Sequence, residues 1–285
     1  MKVLSWNIRG LNSKGKQRYL KEKLQVEKPQ VMMLQETKVT GQKLETILKS
    51  FKMQYEVMAI DARGTSGGIA ILWNGAEIVA DRWIGLPRIL TATFRQIGAE
   101  ERILISTVYG PPIPGERATF LQNIRNLSTM HREKYWLIGG DFNIILNLLE
   151  KKGGIRREEP EMTLFREVIQ DLHLVDIPTV NGKFTWNNRR GERHQVAARL
   201  DRFLASEALV SRDIYYEAAI LPALGSDHWP ITFEIDIKAS SKNRSFRFEL
   251  FWLRDPRFIE KVKNWWNANP ARGNNKMHSF QLRLK

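Results

Sequence analysis

The chain has 285 residues, with 45 Lys/Arg against 31 Asp/Glu for a formal charge of +14, and ordinary apolar and charged fractions of 42% and 27%. No apolar run is long enough to span a bilayer and no secretory leader precedes Val3-Leu4-Ser5-Trp6, so neither a membrane protein nor a secreted one is expected. The absence of cysteine excludes disulfides and thiolate metal sites, so any metal must sit on oxygen and imidazole ligands, which favours a hard cation such as Mg2+.

Short apolar runs rich in Val, Ile, Leu and Trp alternate with helical stretches, which predicts a layered α/β protein. The first strand is expected over Val3 to Ile8, followed by a weakly patterned helix over Lys16 to Glu27 and a strand over Val31 to Gln35. Leu44, Ile47, Leu48 and Phe51 fall at i, i+3, i+4 and i+7, the apolar stripe of a helix packed on a sheet. Strands follow over Gly68 to Trp73, Leu90 to Phe94 and Ile103 to Tyr109, then a helix over Ala118 to Met130 with Leu121, Ile124 and Leu127 on one side. Tyr135 to Ile138 is a strand, Leu164, Phe165, Val168, Ile169 and Leu172 mark another helix, and Leu200 to Ala205 and Trp229 to Ile235 complete the strands.

After Asp236 the composition changes. Residues 238–245 lack large apolar side chains and read as a linker, which divides the chain into residues 1–237 and 238–285. The second part carries 12 Lys/Arg against 3 Asp/Glu, so +9 of the charge lies there and +5 in the rest. Such a tail is either a solvated extension or a contact for a polyanion, because basic proteins gain affinity for nucleic acid by releasing its counterions. Its aromatic stretch, Phe246 to Trp266, puts Phe258, Val262, Trp265 and Trp266 on one helical face, which either packs back on the first domain or docks a further region.

Several strands end on residues suited to phosphate chemistry. Val3 to Trp6 ends on Asn7 and Val31 to Gln35 on Glu36, and a βαβ crossover between them leaves both ends at one edge of a sheet. Ile103 to Val108 ends on Tyr109, and Tyr135 to Ile138 runs through Gly139-Gly140 into Asp141-Phe142-Asn143. Asp201 opens one late strand, and Asp227-His228 precedes another; antiparallel to the early strands, they would bring all these groups together. Taken singly, Gly-Gly-Asp and Ser-Asp-His are ordinary turns.

In this order the residues resemble the endonuclease/exonuclease/phosphatase superfamily, through Ser5-Trp6-Asn7, Leu34-Gln35-Glu36-Thr37-Lys38, Val108-Tyr109, Gly140-Asp141-Phe142-Asn143, Arg199-Leu200-Asp201 and Gly225-Ser226-Asp227-His228-Trp229-Pro230. Val108-Tyr109-Gly110-Pro111-Pro112, Glu150-Lys151-Lys152-Gly153-Gly154, Phe184-Thr185-Trp186-Asn187-Asn188 and Arg199 to Leu204 are similar to the apurinic/apyrimidinic-type endonuclease domains of plant LINE retrotransposons. The resemblance implies a four-layer αββα sandwich of two mixed sheets and a Mg2+-dependent endonuclease, with Mn2+ as a substitute, that nicks DNA and leaves a 3′-hydroxyl. It implies Glu36, Asn7 and Asp227 around the metal and Asp141 as the base for the attacking water. Asn143, Tyr109 and His228 would stand at the phosphate, with Asp201 orienting His228. Lys38, Thr185, Asn187 and Ser226 would touch substrate. Pro112 departs from the pattern, since many members have a phosphate-holding Asn there. DNA is the implied partner, with a downstream reverse-transcriptase region or RNA reached through residues 238–285, and nuclear location follows from that substrate, with the cytoplasm as the alternative. An abasic-site repair endonuclease, a phosphatase and a non-catalytic nucleic-acid-binding remnant are the competing readings.

Overall fold

The apolar runs and periodic stretches form strands and helices at or close to the expected bounds. The computed structural model describes residues 1–62, 64, 67–191, 194–210, 214–222, 225–236 and 257–268. Two units are distinguished, Met1–Ser240 and Ser241–Lys285. In the first, the order is β1 (Lys2–Asn7), α1 (Lys14–Glu27), β2 (Val31–Gln35), α2 (Gly41–Ser50), β3 (Tyr55–Ile60), β4 (Ile69–Asn74), β5 (Ile78–Leu86), β6 (Ile89–Gln96), β7 (Arg102–Tyr109) and α3 (Arg117–Met130). Then come β8 (Tyr135–Asp141), β9 (Lys151–Lys152), α4 (Pro160–Asp171), β10 (Leu174–Ile177), β11 (Trp186–Asn187), β12 (Ala197–Ala198), β13 (Asp201–Ser206), α5 (Glu207–Val210), β14 (Tyr216–Ile220) and β15 (Ile231–Ile235). The second unit contains α6 (Phe258–Ala268), on the expected amphipathic stretch; the linker at 238–245 lies outside the described residues.

Two six-stranded sheets form, in the orders β14-β15-β1-β2-β4-β3 and β10-β13-β8-β7-β6-β5. Only β1/β2 and β7/β8 are parallel, each joined through a helix, and the other neighbours are antiparallel. Strand alternation sorts the side chains into layers. Leu4, Trp6, Met32 and Leu34 face outward against Leu20 and Leu24 of α1 and Leu44 and Leu48 of α2. Val3, Val31 and Met33 face inward against Ile105, Leu137 and Phe203 of the second sheet. That sheet's outer face, with Leu104, Trp136, Ile138 and Leu204, is covered by Phe120 and Ile124 of α3 and Phe165 and Val168 of α4. The result is the expected αββα sandwich.

The inward rows change character along each strand. Val3-Ser5-Asn7, Val31-Met33-Gln35, Ile105-Thr107-Tyr109 and Leu137-Gly139-Asp141 run from apolar to polar toward one end of the sandwich. A polar floor closes the core there: Gln35 Nε2 donates to Ser5 Oγ at 3.1 Å and to Thr107 Oγ1 at 2.8 Å, linking the sheets. Gly139 lets β8 pass close beneath the other sheet, since a Cβ there would lie 2.6 Å from the Phe203 ring and 2.7 Å from Met33 Sδ.

A third, small sheet in the order β11-β12-β9 stands beside the start of β13. A buried ion cluster fastens it. Glu150 accepts from Arg199 Nη1 at 3.0 Å and Arg202 Nη2 at 2.7 Å, while Asp176 of β10 pairs with Arg199 at 2.5 Å and with Arg202 at 3.3 Å.

Candidate active site

At the polar end of the inward rows, the ends of β1, β2, β7, β8 and β13 meet the segment before β15. Asn7 at the end of β1 donates through Nδ2 to Glu36 Oε1 at 3.1 Å and to Asp141 Oδ2 at 2.9 Å, joining the two sheets across their gap. Tyr109 OH donates to the same Glu36 oxygen at 3.0 Å. The antiparallel register sets Asp201 opposite Asp141, and Asp201 Oδ2 lies 2.9 Å from His228 Nδ1. His228 Nε2 in turn lies 3.8 Å from Asp141 Oδ2. Asn143 donates its backbone N–H to Asp141 Oδ1 at 3.0 Å and its amide to Asp141 Oδ2 at 3.1 Å and Gly110 O at 2.8 Å. Arg9, Glu36, Lys38 and Asn143 all adopt positive φ, between 49° and 56°, a conformation disfavoured for side-chain-bearing residues.

The electrostatics follow from burial and neighbours. Burial pushes the Asp141 carboxyl up, against the pull of the His228 imidazolium, to about 6. Burial alone would lower His228, but Asp201 and Asp141 hold its imidazolium and raise it to about 9. Asp227 would be raised by burial, yet Arg9 and Trp186 bring it down to about 2, and Glu36 is likewise lowered by Asn7, Arg9 and Lys38 despite its burial. Both carboxylates are therefore ionised oxygen donors at neutral pH, a set that fits a hard divalent cation, with Asn7 positioned to orient Glu36. Asp141, Asp201 and His228 also place ligand-type atoms within 4.8 Å of one another. His228 Nδ1 is already engaged with Asp201 Oδ2 at 2.9 Å, and its Nε2 faces Asp141 Oδ2 at 3.8 Å.

Two expected substrate contacts are enclosed and hydrogen-bonded within the protein. Thr185 is fully buried, and its hydroxyl accepts from the N–H of Leu200 at 3.1 Å and Asp201 at 2.9 Å, fixing the entry to β13. Ser226 is also buried; its hydroxyl donates to Asn7 O at 2.7 Å and accepts from the N–H of His228 at 3.2 Å. Both position catalytic candidates from behind. Lys38 lies at the rim with Nζ 3.3 Å from Glu36 Oε2, and Asn187 accepts the N–H of Arg189 at 2.9 Å in a local turn. Pro112 is exposed on the loop after Tyr109 and offers no donor.

Two residues outside the sequence expectations complete the site. Arg9 grips both oxygens of Asp227 at 2.8 Å and stands 3.3 Å from Glu36 Oε1. Trp186 of β11 donates through Nε1 to Asp227 Oδ2 at 2.9 Å, tying the small sheet to the site. Trp186 lies within one of the matching motifs, and Arg9 follows the strand-end Asn7 by two residues, but neither position signals its partner without the fold.

The chain is similar in sequence and fold to known proteins. The chain is 27% identical over 213 residues to the "Transposon TX1 uncharacterized 149 kDa protein" of Xenopus laevis, a match covering 72% of this chain but only 16% of that protein. Among solved structures, a 3′-5′ exonuclease (NExo) from Neisseria meningitidis superposes with TM-score 0.65 at 22% identity over 83% of this chain and 100% of the other. The endonuclease domain of TRAS1, a telomere-specific non-LTR retrotransposon, superposes with TM-score 0.64 at 18% identity over 84% of this chain and 99% of that one. The Endonuclease/Exonuclease/phosphatase family model matches residues 4–228, a span that runs from the first inward strand to the histidine at the centre of the site, and the chain belongs to that family.

Proposed function

We propose that the chain is a Mg2+-dependent endonuclease that nicks DNA and leaves a 3′-hydroxyl, as in LINE retrotransposition. The observation that carries this reading is the pairing of a buried carboxylate near neutrality, Asp141, with a charged His228 held by Asp201 only 3.8 Å away. Ionised Asp141 accepts a proton from water as the water oxygen bonds to phosphorus; the P–O3′ bond breaks and O3′ takes a proton from the Tyr109 phenol or from solvent, departing as the hydroxyl. His228 donates to a phosphoryl oxygen, where it stabilises charge as it builds up in the transition state. Tyr109, raised above its ordinary value by burial and by Glu36, stays a neutral phenol able to donate at the phosphate or the leaving oxygen. Mg2+ at Glu36 and Asp227 would supply Lewis-acid polarisation of the phosphate. The basic residues of 238–285 would add affinity for the polyanion, or contact RNA or a reverse-transcriptase region.

The test is conversion of supercoiled plasmid to open circles with Mg2+, with and without EDTA. Asp141→Asn and His228→Ala should each lose on the order of 10²–10⁴-fold in rate. Absence of nicking by the wild type, or unchanged rates in both variants, rules the reading out. An abasic duplex assayed beside the plasmid separates target-site nicking from abasic-site repair.

A further inference from the structure

Arg9 is the link between three loops at the site. Its guanidinium spans Asp227, before β15, with two bonds of 2.8 Å, and reaches Glu36, after β2, at 3.3 Å. These are the two ionised carboxylates whose chemistry fits the metal, so Arg9 and a divalent cation draw on one anionic pair. The backbone beneath Arg9 is fixed, with φ 56° and its N–H donated to Asn7 Oδ1 at 3.2 Å. The side chain, however, is 40% exposed at the rim, in contrast to Arg202, which is wholly enclosed. A fixed stem and an accessible fork allow the guanidinium to leave the carboxylates without disturbing the strand. Lys38 repeats the arrangement on the other side of Glu36, with positive φ, 31% exposure and a 3.3 Å contact.

We propose that Arg9 is an exchangeable counter-ion. It contests the cation for Glu36 and Asp227 and, once displaced, turns its bidentate fork to a phosphate of the substrate strand, coupling metal entry to nucleic-acid binding. The planar fork suits this double duty because carboxylate and phosphate present matching pairs of oxygens. Reciprocity then requires that DNA tighten metal binding and metal tighten DNA binding by the same factor. The inference rests on the metal-dependent reading above.

The experiment is Mn2+ titration of the full chain by electron paramagnetic resonance, first without nucleic acid. Arg9→Gln should bind Mn2+ about tenfold more tightly than wild type, since a competing charge is gone, whereas Arg9→Lys, which keeps the charge, should stay within about threefold. In an Asp141→Asn background, a DNA duplex should raise Mn2+ affinity with Arg9 present, and that enhancement should disappear once Arg9→Gln is added. Equal or weaker Mn2+ binding by Arg9→Gln, with wild type binding normally, overturns the proposal alone. No Mn2+ binding by wild type overturns the metal-dependent reading with it. If Arg9→Gln fails to fold, the Lys variant decides through the duplex enhancement: a loss as complete as removal of DNA supports the bidentate fork, and full retention refutes it.

Discussion

Burial and an adjacent imidazolium pull the Asp141 carboxyl in opposite directions and leave it at about 6, while His228 is held at about 9. Activity that needs Asp141 ionised and His228 charged should rise through about 6 and fall through about 9. Asp201→Asn should shift the alkaline limb to lower pH, as measured by a pH–rate profile. Stability carries the same signature. A histidine raised in the folded state contributes stability that is full below its unfolded value and lost as pH rises through about 9. Asp141, also raised, contributes below its unfolded value and loses that contribution as pH rises through about 6. Urea unfolding between pH 6.5 and 9.5 should show the alkaline loss in wild type and a flatter profile in His228→Gln. Asn7, Glu36, Tyr109, Asp141 and Asp201 are legible in the sequence because each lies at, or two glycines from, the end of an apolar run. Arg9 and Trp186 are not, because their roles depend on a positive-φ turn and on a sheet of two-residue strands.

Within the two main sheets, the strands missed in the sequence share a position. β3, β5, β10 and β14 are the four edges of the two main sheets. Edge strands are half exposed and carry charges that discourage pairing with other chains, so their alternation is weak. In β5 the register also shifts between Ala80 and Trp83, breaking the period in mid-strand. The central strands, enclosed on both faces, announce themselves as apolar runs. The Glu150, Asp176, Arg199 and Arg202 cluster is legible only as isolated motif residues, since its members lie up to 52 positions apart. Removing Glu150 would leave two guanidinium groups sharing the single carboxylate of Asp176 in a nearly dry setting. Glu150→Ala should therefore cost roughly 3–5 kcal/mol, read from chemical denaturation, while leaving the midpoint of a surface control such as Glu45→Ala unchanged. The small sheet should also loosen, with faster hydrogen exchange at Thr185 and Arg199, whose N–H groups bond across it.

For the chain as a whole, charge is divided unevenly, with +9 of the net +14 in residues 238–285. DNA affinity should fall steeply with salt, and ending the chain at Ser240 should flatten the slope of log K against log salt if the tail meets phosphates. An unchanged slope would assign binding to the first unit. Divalent metal should raise the melting midpoint only modestly, because Arg9, Lys38 and His228 already oppose the four carboxylates, and the rise should be larger in Arg9→Gln. The position of β15 between β14 and β1 has a consequence in time. β1 is completed on one side by β15, which follows it by more than 220 residues, and His228 enters just ahead of β15. A growing chain can therefore gather Asn7, Glu36, Tyr109, Asp141 and Asp201 while still lacking its imidazole. On the proposed mechanism, the capacity to cut would then arrive only with the closing strand, and a chain ended before His228 should bind but not nick.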